Sequence, residues 1–83
     1  MFELLYTKEA KKQINQLDKK LKVRFKQTLA KLASNPKLGK TLTAELKGKF
    51  SYRVGDYCVI YCIFYKDRKI VVLTIGHRRE IYK

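Results

Sequence analysis

The chain changes hydrophobic period once. Between residues 7 and 34 the apolar positions recur three and four apart, and between 50 and 76 they alternate or run together. The first spacing belongs to helices and the second to strands. Ahead of both, Phe2, Leu4, Leu5 and Tyr6 make a short apolar-rich segment, consistent with a first strand over 2–6. Thr7 has the side chain of an N-cap, and Glu9 falls in the first turn, where the helix dipole favours an anion. Ala10, Ile14 and Leu17 then follow at helical spacing. Asp18 reads as a second N-cap, ahead of Leu21, Phe25, Leu29 and Leu32 on one face and Lys20, Lys22, Arg24, Lys26 and Lys31 on the other. Asn35-Pro36 ends this second helix, because the residue before proline is pushed out of the α region. Residues 36–44 read as a loop that turns at Gly39.

The second half predicts a sheet. Phe50, Tyr52 and Val54 alternate with Ser51 and Arg53, and Gly55-Asp56 makes a tight turn. Residues 57–65 are β-branched and aromatic almost throughout, the mark of a central strand covered on both faces. Residues 66–68 form a polar hairpin loop, and 69–76 the last full strand. Loops this short imply an antiparallel meander. A two-helix hairpin cannot bury its apolar stripe alone and needs that sheet. The expected fold is therefore α+β, an N-terminal strand and a two-helix hairpin packed on one face of a small, mainly antiparallel meander sheet. Alternation turns Tyr57, Val59, Tyr61 and Ile63 toward the helices, together with Val71, Leu73 and Ile75. Val72, Thr74, Gly76 and Arg78 then share the opposite, open face with Arg53, while His77 points with Ile75 toward the core.

With 83 residues, the chain has room for one domain, 1–83. Hydrophobic residues make up 46% and aromatics 12%, which suits a globular fold rather than a disordered one. No apolar run reaches the length of a bilayer span, and 2–6 is too short, and interrupted by Glu3, for a signal peptide. A cytoplasmic protein without a membrane role is expected. Cys58 and Cys62 are four apart in one strand, roughly 13 Å, whereas a disulfide needs Cα atoms within about 7 Å. They are expected as buried free thiols, and with a single His no zinc site and no metal or other cofactor is expected. Cys58 as a nucleophile lacks a visible His–acid partner.

Charge adds the functional direction. Twenty Lys and Arg against seven Asp and Glu give a net +13, which predicts attraction to polyanions. The lysines of the second helix read as a solvated face, but cations within the strands favour nucleic acid. Lys47 and Lys49 flank Gly48, Arg53 lies in a strand, and Arg78 and Arg79 follow Gly76-His77. On one sheet face they would make a cationic rim suited to a phosphodiester backbone. His77 is the one side chain of a type that titrates near neutrality, and its core-facing parity argues against catalysis.

Leu46-Lys47-Gly48, Tyr52-Arg53-Val54-Gly55-Asp56-Tyr57, Val59-Ile60-Tyr61 and the closing Gly76-His77-Arg78-Arg79-Glu80-Ile81-Tyr82 together resemble the RelE/ParE toxin superfamily. The resemblance covers the whole chain, and the Gly-His-Arg run closing on Tyr is more like the RelE branch than the gyrase-directed ParE branch. It implies a RelE-like toxin of a type II toxin–antitoxin system. Such a toxin enters the ribosomal A site and cuts mRNA there by 2′-hydroxyl attack, without a metal, and is blocked by a cognate antitoxin that wraps it, in higher-order complexes. Carried over by position, Arg53, Arg78 and Tyr82 take the catalytic roles, the arginines holding the phosphate and the tyrosine a base. Lys47, Lys49 and Arg79 bind RNA, with His77 a lesser candidate. Two positions depart from the pattern: Ser51 and Cys58 stand where cations are common, and Lys49 is the candidate to reach toward the place of Ser51. The same resemblance leaves open a gyrase inhibitor, or an inactive homologue that binds an antitoxin.

Overall fold

Two side-chain caps start the helical part. A computed structural model describes residues 1–38, 40–41 and 49–77. Strand β1, Glu3–Tyr6, runs directly into helix α1, Lys8–Asn15, whose N-cap Thr7 accepts from the Ala10 amide at 3.0 Å. Helix α2, Lys19–Ser34, opens on Asp18, which accepts from the Leu21 amide at 2.9 Å. Each cap satisfies a donor that the first helical turn cannot, for about 1 kcal/mol. Asn35 ends α2, and a single 3₁₀ turn, Pro36–Leu38, leads to a two-residue strand β2, Lys40–Thr41. The meander follows as β3 Lys49–Val54, β4 Tyr57–Phe64 and β5 Lys69–His77. No described helix is long and apolar enough to cross a membrane.

The five strands lie in the order β1-β5-β4-β3-β2. Pairs β2–β3, β3–β4 and β4–β5 are antiparallel, and β1 is parallel to β5. The expected α+β architecture holds, with two additions. The segment read as a loop contains β2, which pairs Lys40 with Ser51 and Thr41 with Phe50. Two residues are too few to carry a period of their own, so only the pairing reveals them. The first strand returns alongside the last one, a non-local contact that its four residues do not encode.

The core lies between the helices and one face of the sheet. Ala10, Phe25, Leu29 and Leu32 meet Val54, Val59, Tyr61, Ile70, Val72 and Ile75. The Tyr61 hydroxyl, carried into this core, donates to the Pro36 carbonyl at 2.9 Å and so anchors the exit of α2. Burial of side chains of this size contributes about 1.5–3 kcal/mol each before entropy is charged against it.

Alternation along β4 is as expected, but β5 departs from it. Tyr61 pairs with Val72 and Ile60 with Thr74, so β5 carries one extra residue, Leu73, between them. This bulge switches parity in mid-strand. Ile70 and Val72 face the helices before it and Ile75 after it, whereas Val71 and Leu73 are only half-buried. Val72, expected on the open face, is fully buried in the core.

The bulge sits where β1 lets go. Its pairing with β5 ends at Tyr6–Val72, and the Thr7 amide donates to the Val72 carbonyl at 3.1 Å. Beyond that point the edge of β5 is completed by side chains of α1 and its cap. The Thr7 hydroxyl donates to the Leu73 carbonyl at 2.7 Å, and Gln13 Oε1 accepts from the Ile75 amide at 2.7 Å and the Thr74 hydroxyl at 3.1 Å. Three polar groups that a strand edge would leave to water are thereby satisfied within the fold.

Candidate functional site

The register sets the site out in rows across the far face of the sheet. Nearest the Gly55 turn, Arg53, Cys58 and Gly76 are neighbours on β3, β4 and β5. The next row holds Ser51, Ile60 and Thr74, and a third holds Lys49, Cys62, Val71 and Leu5. Arg53 is exposed and Lys49 half-buried, about 13 Å apart along the strand. Between them the face is closed. Cys58 is 3% exposed, Ile60 4% and Ser51 9%. The expected open face with a cationic rim is corrected in one respect: between Arg53 and Lys49 the face is a buried strip.

Burial accounts for the two departures from the resemblance in physical terms. A cation at 51 or 58 would have to leave water, which costs several kcal/mol without a paired anion. Serine and cysteine are small, and cysteine is among the most buried residue types. That was the available signal, and it points to packing rather than to a missing cation. Both thiols are free, Cys58 buried and Cys62 half-buried, and among the described residues no three His, Cys, Asp or Glu gather as metal ligands.

Lys47, Arg78, Arg79 and Tyr82 lie outside the described residues. Of the sequence candidates, Arg53, Lys49 and His77 remain, and the fold separates them. His77 is the direct partner of Tyr57, one row beyond Arg53, and turns to the helix side. Its ring meets Tyr57 edge-on at 5.7 Å, and Tyr57 in turn meets Phe25 at 6.0 Å. This aromatic row lies against the core on the side opposite Arg53, so imidazole and guanidinium are not brought together.

The turn joining these strands lies beside a cation of another element. Gly55 has φ +61°, and a Cβ placed there would lie 3.4 Å from a guanidinium nitrogen of Arg24 on α2. The sheet end beside Arg53 thus carries a second guanidinium, from a helix face the sequence presents only as solvated. On the helix side, Gln13, Gln16, Leu17, Tyr57, Ile75 and His77 line a cleft of about 490 Å³. Gln13, the residue that positions β5, has no distinguishing sequence signal, because a glutamine on a polar helix face is ordinary.

Known proteins share this fold. Residues 4–82 match the family model described as the ParE toxin of the type II toxin–antitoxin system parDE. A 47-residue stretch is 40% identical to Toxin RelG of Mycobacterium tuberculosis, covering 57% of this chain and 54% of that toxin's length. A chain of the toxin–antitoxin complex RelBE2 from Mycobacterium tuberculosis superposes with a TM-score of 0.83 at 28% identity, over 93% of this chain and 98% of that one. The isolated E. coli RelE toxin gives a TM-score of 0.81 over 99% of this chain and 92% of its own, at 17% identity, a likeness of fold. The archaeal RelE–RelB complex from Pyrococcus horikoshii matches with a TM-score of 0.76 at 26% identity, over 93% and 94%.

Proposed function

We propose that this chain, which belongs to the ParE toxin family of type II toxin–antitoxin systems within the RelE/ParE superfamily, inhibits translation by cutting mRNA in the ribosomal A site. The observation that carries the reading is Arg53, an exposed guanidinium on the far face of the sheet, in one row with Gly76, after which the sequence runs His77-Arg78-Arg79. A planar guanidinium matches two phosphate oxygens at once. In the reaction the 2′-oxygen attacks the adjacent phosphorus and loses its proton, and the bond from phosphorus to the 5′-oxygen breaks. The leaving oxygen takes a proton, and a 2′,3′-cyclic phosphate remains. Arg53 and Arg78 stabilise the charge that builds on the non-bridging oxygens, an effect worth a few kcal/mol per well-placed donor. Tyr82 holds a base, and Lys47, Lys49 and Arg79 hold the RNA backbone. The ribosome supplies the mRNA, and an antitoxin covers the toxin when it is silent.

A second reading, inhibition of DNA gyrase, is favoured by the ParE identity of the family model. One pair of experiments separates the two. After induction, primer extension on abundant transcripts is expected to show new 5′ ends within codons, while purified gyrase supercoils DNA undisturbed by the protein. Intact transcripts with blocked supercoiling would overturn the nuclease reading.

A further inference from the structure

The cleft on the helix side lies on the opposite face of the sheet from Arg53 and has its own chemistry. Gln13, Gln16 and Leu17, from α1 and the turn after it, face Tyr57, Ile75 and His77 across about 490 Å³. Gln13 is the most constrained of these. Its Oε1 is committed to the Ile75 amide and the Thr74 hydroxyl, so the group it has left to offer is the Nε2 donor. Gln16 adds an exposed second carboxamide, able both to donate and to accept. Leu17 and Ile75 supply apolar walls, and the Tyr57 and His77 rings, in edge contact at 5.7 Å, supply flat aromatic surface.

We propose that this cleft is a nucleobase subsite, holding one unpaired base of the RNA whose backbone crosses Arg53. The choice of RNA base rests on the nuclease reading above. The choice of cleft rests on its lining. Carboxamides can read base edges through a paired donor and acceptor, and aromatic rings are platforms on which splayed bases stack. The described lining, carboxamide, apolar and aromatic side chains together, suits a neutral heteroaromatic group. Position fits as well. Tyr57 and His77 form the terminal row of β4 and β5, one row beyond Cys58 and Gly76, and Gly76 lies two strand spacings, roughly 10 Å, from Arg53. A single strand rounding this end of the sheet would meet Arg53 on one face and the cleft on the other.

Adenosine, guanosine, cytidine and uridine, which carry no phosphate, are suitable probes in an amide NMR titration of the full chain. At least one nucleoside is expected to produce saturable shifts in the Gln13 and Gln16 side-chain amides and at Tyr57 and His77, and ribose alone none. Gln16→Ala should weaken that binding roughly five-fold, the scale of one hydrogen bond, with its spectrum reporting an intact fold. Arg53→Ala should leave it unchanged while removing mRNA cleavage. Shifts confined to Lys49 and Arg53, or no saturable shift with any of the four nucleosides, would overturn the subsite and leave the cleft for a protein segment. If transcripts are cut but nucleosides do not bind, only the subsite fails. If nucleosides bind and transcripts stay whole, the nuclease reading fails and the pocket stands.

Discussion

Arg53 and Cys58 are direct cross-strand partners, yet the first is exposed and the second almost fully buried. An arginine placed at 58 would lie beside Arg53 with its charge taken out of water. Cross-strand like charges repel, and a buried unpaired cation is among the costliest single changes. Cys58→Arg is therefore expected to destabilise the domain by about 3 kcal/mol or more and not to raise toxicity. Thermal unfolding of the purified variant, with growth curves after induction, checks both parts. A variant as stable as the parent and more toxic would show that the position tolerates the cation.

Arg53 itself bears on function and not on packing. Being exposed, it can be cut back to alanine within about 0.5 kcal/mol of parental stability. Removing one donor from a phosphate undergoing substitution costs roughly a hundred-fold or more in rate. Arg53→Ala should melt with the parent and leave transcripts largely uncut in the primer-extension assay. Full cleavage by this variant would move the phosphate site elsewhere.

Gln13 holds the β5 bulge through one oxygen. Gln13→Leu strands the Ile75 amide and the Thr74 hydroxyl, at about 1–3 kcal/mol. Gln13→Glu keeps an acceptor in place and should lose much less. Amide hydrogen exchange at Ile75 distinguishes them, fast in the leucine variant and close to parental in the glutamate variant.

Two turn residues sit at positive φ with opposite consequences. Arg68, at φ 52°, pays the Cβ clash of the left-handed region, whereas Gly55, at 61°, does not. Arg68→Gly or Arg68→Asn should gain up to about 1 kcal/mol. Gly55→Ala should lose about 1–2 kcal/mol, from the backbone at positive φ. Chemical denaturation midpoints measure both.

Burial lifts the Tyr6 phenol above its ordinary value of 10.0. Above pH 10 the unfolded chain gives up this proton while the folded chain keeps it. The unfolded state then binds fewer protons, so stability falls as pH rises. The contribution is whole below pH 10 and is lost progressively as pH climbs through the raised folded value. Tyr6→Phe should flatten this alkaline limb in a series of melts between pH 9 and about 12.

The parts of this molecule that could be read in one dimension are those whose cause is local. Thr7 and Asp18 cap helices because a side-chain oxygen finds an amide three residues on. Tyr57, Val59, Tyr61 and Ile63 share a face because a strand has period two, and Gly55 turns because it lacks a Cβ. The motifs from Leu46 to Tyr61 and the closing Gly-His-Arg stretch carried the resemblance to the RelE/ParE superfamily. The remainder depended on neighbours distant in sequence. Leu73 is extra only in relation to β4, and β1 is parallel only because β5 receives it. That single inserted residue sends Val72 into the core where alternation pointed it outward. Ser51 and Cys58 looked like absent cations along the chain, and in the folded sheet they are packed positions beside Arg53. Burial and register are sums over the whole assembled sheet, and no local period contains them.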